Sequence, residues 1–213
     1  MKKILNLYAG IGGNRKDWKG DIHVTAVELN PRIAEVYTHF HPEDRVVVGD
    51  AHQYLLDHYN EFDFIWSSPP CQSHSSLRQN LGVRYRGVRP KYPDMKLYQE
   101  IVFLTYNASC HWVVENVQPY YAYLIQPAFI LQRHPFWANF TALPHEFEKD
   151  SLRSAQIPEL QNKYGFDLSN FKIPDKRQIL RNCVSPALGK YVFDTAMNIR
   201  TEVEQDLFAA QAV

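Results

Sequence analysis

The chain has 213 residues, 45% hydrophobic and 22% charged, and its 23 basic and 23 acidic side chains cancel. Such a composition suits one soluble globular domain, or one with a small insert, and zero net charge excludes a global field that would draw in nucleic acid. Three scattered cysteines (Cys71, Cys110, Cys183) without a CxxC pair suggest neither a disulfide framework nor a zinc site, and no apolar window reads as a membrane span or signal peptide, so we expect a cytoplasmic chain without metal.

The elements alternate along the chain. KKILNLY, within residues 1–8, reads as a strand, AGIGGN as a glycine turn, and a helix is expected from there to Asp17 or Trp18. HVTAVEL (His23–Leu29) is a second strand ending near an acid, followed by the helix PRIAEVYTHF with proline at its first turn. RVVVGD (Arg45–Asp50) is a third strand, AHQYLLDHY a helix, and FDFIWSS (Phe62–Ser68) a fourth strand. MKLYQEIVFLTYNAS is helical and HWVVENV (His111–Val117) is a fifth strand. Strand and helix alternate with near-continuous apolar strands, which predicts a doubly wound, Rossmann-like α/β sheet. Leu143–Ile179 is a polar, proline-containing excursion, and a closing helix is expected from about Pro186 to Ala210.

In such a sheet the chemistry collects where strands end. GIGG lets the backbone approach a ligand at a turn, or is simply a tight turn. Arg15 stands where the dinucleotide fingerprint needs its third glycine, which argues against NAD and leaves other nucleosides open. Glu28 could accept hydrogen bonds from ribose hydroxyls and Asp50 could meet a base edge; otherwise both are solvated carboxylates. Cys71 follows two prolines, which stiffen its loop and aim the thiol. The run Arg78, Arg84, Arg86, Arg89 and Lys91, with no acid until Asp94, would lower the thiol's pKa if it lay close, or is a solvated loop. Glu115 ends a very apolar strand, where it is either a general acid with a raised pKa or a paired carboxylate.

In this order the pieces resemble the cytosine-C5 DNA methyltransferase family. NLYAGIGG is similar to its first cofactor motif, VEL and VVGDA to the next two, SSPPCQSHS to the Pro-Cys motif and VVENV to the Glu-Asn-Val motif. LQRHPFW is similar to the arginine-rich strand that follows, and RNCVSPALGKYV to the last motif. The resemblance implies S-adenosylmethionine held by Tyr8, Ala9, Gly10, Ile11, Gly12, Gly13, Glu28, Leu29, Asp50, Ala51, Pro69, Asn182 and Val184. It implies Cys71 as the nucleophile that attacks C6 of a flipped-out cytosine, Glu115 at N3 and Arg133 at the base carbonyl. It implies nucleic-acid contacts from Gln72, Ser73, Arg78, Arg84, Arg86, Arg89 and Lys91, with double-stranded DNA as partner.

The sequence departs from the family pattern at Asn6 (near an acid that the first motif often carries), Tyr8 (usually phenylalanine), Pro135 (often arginine), Arg181 (usually glycine) and Ser185 (usually proline). A single domain over 1–213 is expected, with 141–177 as a reduced target-recognition insert and 178–213 returning to the cofactor pocket. That brevity resembles the methyltransferases of phages and mobile elements, and it leaves room for a protein partner that supplies recognition. The alternatives are an inactive module that binds DNA or cofactor, or the same chemistry on RNA or free nucleotide.

Overall fold

A computed structural model of the chain describes residues 1–148 and 155–198. Seven strands form one sheet: β1 (Lys2–Leu7), β2 (Ile22–Glu28), β3 (Arg45–Val48), β4 (Phe64–Ser67), β5 (His111–Glu115), β6 (Phe129–Leu131) and β7 (His134–Ala138). Their order is β3-β2-β1-β4-β5-β7-β6. β1 to β5 run parallel, while β7 is antiparallel to both β5 and β6. The order reverses between β1 and β4, and crevices beyond the carboxyl ends of such strands are where ligands bind in open α/β sheets.

Alternate side chains of each strand serve opposite faces. On one face Ile4, Val24, Phe64, Trp66 and Val113 pack with Leu188, Val192 and Phe193 of α7 (Pro186–Ala196). On the other, Leu5, Leu7, Ile65 and Val114 pack against α2 (Ala51–His58) and α4 (Lys96–Asn107). α1 (Pro31–Phe40) starts from an Asn30 cap and lays Tyr37 against Ala9 and Ala26. Asp50 caps α2 by accepting from the amides of His52 and Gln53. A π-helical turn, Arg78–Val83, leads into the three-residue α3 (Arg84–Arg86).

Three expectations change. The helix after the glycine turn does not form; residues 13–17 are turns. α7 occupies that place: a Cβ on Gly189 would sit 2.4 Å from the Asn14 carbonyl oxygen, and Trp18 Nε1 donates to Gly189 O at 3.1 Å. The closing helix ends at Ala196, with 197–198 a turn, and the expectation from 199 on lies outside the described residues. Much of the excursion is core. Leu160 and Tyr164 of α5 (Ile157–Tyr164), with Phe166 and Leu168, are buried against Ile11, Val36 and Leu180 of α6 (Lys176–Arg181). Among the described residues no helix is long and apolar enough to cross a membrane.

Candidate active site

At the switch between β1 and β4 the strand ends surround a cavity of about 410 Å3. The chain leaves β1 through Tyr8, in the left-handed region at φ +55°, and Gly10 at φ +56°. A Cβ at Gly10 would meet nothing within 4 Å, so the turn keeps open space beside its backbone. Glu28 fixes the turn: Oε2 accepts from Gly10 N at 3.0 Å and Oε1 from Asn30 N at 2.9 Å. Tyr8 donates its hydroxyl to the buried Glu100 at 2.5 Å. Glu100 also takes Ser67 Oγ at 2.6 Å and His52 Nδ1 at 2.8 Å. That hydrogen bond raises the His52 pKa.

The opposite wall carries the reactive groups. Cys71 and Gln72 follow the two prolines beyond β4, and Glu115 ends β5; all three line the same cavity. Asn116 joins the two strand ends, with Nδ2 donating to the Pro69 carbonyl at 2.9 Å and Oδ1 accepting from Val117 N at 2.9 Å. The loop closes on itself through the amides of His74 and Ser75, both 3.0 Å from the Cys71 carbonyl. Burial pushes the Cys71 thiol up to about 11, and the Glu115 carboxylate adds to the rise. None of the basic run, which would lower the thiol if it lay close, is among the causes of this shift.

Of the cofactor residues inferred above, Tyr8, Ala9, Gly10, Ile11, Gly13, Glu28, Leu29, Asp50, Ala51, Pro69, Asn182 and Val184 line the cavity. Gly12 lies behind it, over the His41 ring. Asp50 faces the cavity but is already engaged as a helix cap, and Lys96 Nζ lies 3.4 Å from its Oδ2. Arg181 lines the cavity beside Asn182.

The basic residues do not line this cavity. Arg84, Arg86, Arg89 and Lys91 are exposed, while the half-buried Arg78 donates to the Arg89 carbonyl at 2.9 Å. Ser73 accepts from Asp94 N at 3.0 Å.

Arg133 needs correcting. It lies exposed in the turn between β6 and β7, outside the cavity lining, and His134 stands against Glu115 instead, Nδ1 to Oε1 at 2.6 Å. Neighbouring residues near a strand point to opposite sides, so a shift of one residue exchanges wall for solvent. Sequence reasoning missed His134, whose partner is 19 positions away in the chain. It also placed Asn116 at a strand end without finding that its side chain ties that end to Pro69.

Residues 2–119, more than half of the chain, match the family model described as C-5 cytosine-specific DNA methylase. The chain belongs to this family. A relative, the tRNA (cytosine(38)-C(5))-methyltransferase of Spodoptera frugiperda, is 40% identical over 78 residues, covering 33% of this chain. The chain spans 23% of that relative's length. Among solved structures, the Entamoeba histolytica methyltransferase EhMeth aligns over 95% of this chain and 99% of its own, with TM-score 0.55 at 12% identity, a likeness of fold. A DNMT2 variant from Spodoptera frugiperda is 29% identical over 55% of this chain and 36% of that one, with TM-score 0.37.

S-adenosylmethionine is the family's cofactor, and the residues present fit it. A turn with open space beside Gly10 suits close approach, Leu29 and Ile33 give apolar wall, and Glu28 and Asp50 offer carboxylates at successive strand ends. Each carboxylate oxygen can accept more than one hydrogen bond, so the contacts already made leave capacity for ribose hydroxyls and an amine. Among the described residues no cluster of three metal-ligating side chains forms.

Proposed function

We propose that this protein methylates C5 of cytosine in double-stranded DNA through a covalent adduct with Cys71. The observation that carries the reading is that Cys71, Glu115 and the glycine-turn residues line one cavity. Cytosine C5 is a poor nucleophile, so the ring must first be activated. The Cys71 thiol gives its proton to water, the thiolate adds its electron pair to C6, and N3 takes a proton from Glu115 as charge builds on the ring. Until that transfer the protonated carboxyl carries no negative charge to raise the thiol pKa, so a Glu115 ready to donate also favours the thiolate. Bound at the glycine turn, S-adenosylmethionine supplies an electrophilic methyl group for C5. Loss of the C5 proton to a base re-forms the C5=C6 bond, the sulfur leaves with its electron pair, and N3 returns its proton to Glu115. A duplex hides C6, so the target base must leave the stack, at a cost of a few kcal/mol. The exposed arginines and Lys91 would meet phosphates during that step.

The similarity to a tRNA methyltransferase favours a second reading, the same chemistry on RNA. Methyl-labelled cofactor offered with duplex DNA and with tRNA, followed by bisulfite mapping, separates the two. Label at C5 in duplex DNA is expected. Label in tRNA alone replaces the first reading with the second, and label in neither, with cofactor still bound, leaves a binding module.

A further inference from the structure

The pair of His134 and Glu115 is not used by the reaction as just described. His134 opens β7, and Glu115 stands in register with Phe136 two residues further along, so the three side chains share one face of the sheet. The imidazole Nδ1 occupies Oε1 of the carboxyl, and no hydrogen bond to Oε2 forms among the described residues. The Glu115 side chain is 7% exposed and the His134 side chain 23%, so the histidine lies between the carboxyl and solvent. His134 and Cys71 line the same cavity.

We infer that His134 is a positioning residue acting through Glu115: it fixes one carboxyl oxygen, leaves the other for N3 of cytosine, and shares with the carboxyl the proton that N3 receives. This rests on the proposed methyl transfer. The pair starts with one proton on Glu115 Oε2 and one on His134 Nδ1: N3 takes the first, the second moves from Nδ1 to Oε1, and a neutral imidazole is left beside a neutral carboxyl. When the sulfur leaves and N3 gives the proton back, the pair returns to its starting state, and the only net proton released is the one from C5.

The other ionisable side chains that share the cavity with the pair are Cys71, Tyr8, Glu28, Asp50, Asp94, Lys96, Arg181 and Cys183. None is of a type that changes charge between pH 5 and 8, whereas histidine does, and His134 is the one histidine lining the cavity among the described residues.

The test is methyl-transfer kinetics from pH 5.5 to 9 on wild type, His134→Ala and His134→Gln, with S-adenosylhomocysteine affinity measured alongside. For His134→Ala, kcat should fall about 10-fold or more, with little change in KM for nucleic acid or in cofactor affinity. Glutamine keeps a donor but does not titrate, so His134→Gln should recover part of kcat while losing the inflection of the wild-type profile in the neutral range. A kcat within about twofold of wild type in His134→Ala, or a wild-type profile in His134→Gln, would overturn the inference; if the alanine variant fails to fold, the glutamine profile decides alone. A wild-type protein that methylates neither polymer overturns the proposed function and this inference together, whereas an active wild type with unaltered His134 variants overturns this inference only.

Discussion

Asn116 holds the loop of the proposed nucleophile, because its carboxamide fastens Pro69 to the end of β5. Asn116→Ala leaves a buried carbonyl and an amide without partners, at about 1–3 kcal/mol. We expect a fall in thermal stability and a larger proportional loss of methyl transfer than of S-adenosylhomocysteine binding, read by calorimetry and single-turnover assay. Cys71→Ser should bind cofactor as wild type does and lose methyl transfer by about a thousandfold, since a hydroxyl is a far weaker nucleophile than a thiolate. Retained turnover would refute the nucleophile assignment. The places of Cys71 and Glu115 on one cavity were legible because the Pro-Cys and Glu-Asn-Val runs stand where strands end. His134 was not, because its meaning comes from a strand that folds back antiparallel beside β5, a pairing that the alternation of parallel units does not encode.

The segment between Cys71 and α4 is the element with most left to do. It is held at Ser73, at Arg78 and by Val88 N on the Gly82 carbonyl at 3.0 Å, yet Arg84, Arg86, Arg89 and Lys91 stay in solvent. Replacing Arg84, Arg86 and Arg89 together by alanine removes three cations from a surface that is not core. On duplex DNA the slope of log affinity against log salt should flatten by up to about 2.7, and the modified sequence should not change. A slope indifferent to the substitution would place the phosphate contacts elsewhere. Most parallel strands and their helices were legible from apolar runs and from Pro31 at a helix's first turn, whereas the caps Asn30 and Asp50 were not. The glycine turn misled because a helix was expected to follow it, as in other βα units, whereas here α7 comes back from far along the chain to fill that volume.

At the scale of the molecule, the excursion read as a recognition insert spends Leu160, Tyr164, Phe166 and Leu168 on a third apolar cluster behind the glycine turn. Few of its side chains are left to read base edges, which fits a short or relaxed target site or help from a partner protein. The same region shapes the response to acid. His41 packs between Tyr37 and Phe166, and burial, with Arg15 nearby, holds its pKa down from 6.5 to about 4. The unfolded chain binds this proton before the folded one does, so stability falls as pH drops below about 6.5, and the loss levels off near 4. Between pH 7 and 5 this amounts to about 2 kcal/mol. His52 acts in the opposite sense: its raised pKa adds stability below its unfolded value, and that contribution fades as pH rises through the folded one. Denaturant titrations of His41→Phe, which keeps the ring packing, should show a shallower loss of stability between pH 7 and 5 than wild type.

The docking of Gly189 onto Asn14 and Trp18 also bears on how the protein is made. On the ribosome, β1 and the glycine turn emerge early, while the surface that holds the turn in shape is translated some 170 residues later. Until then the nascent chain can assemble strands but has no finished floor for a nucleoside, and S-adenosylmethionine in the cell cannot steady it. Cofactor capture is thereby a late checkpoint of synthesis, and chains stalled before α7 are the ones a protease would find open.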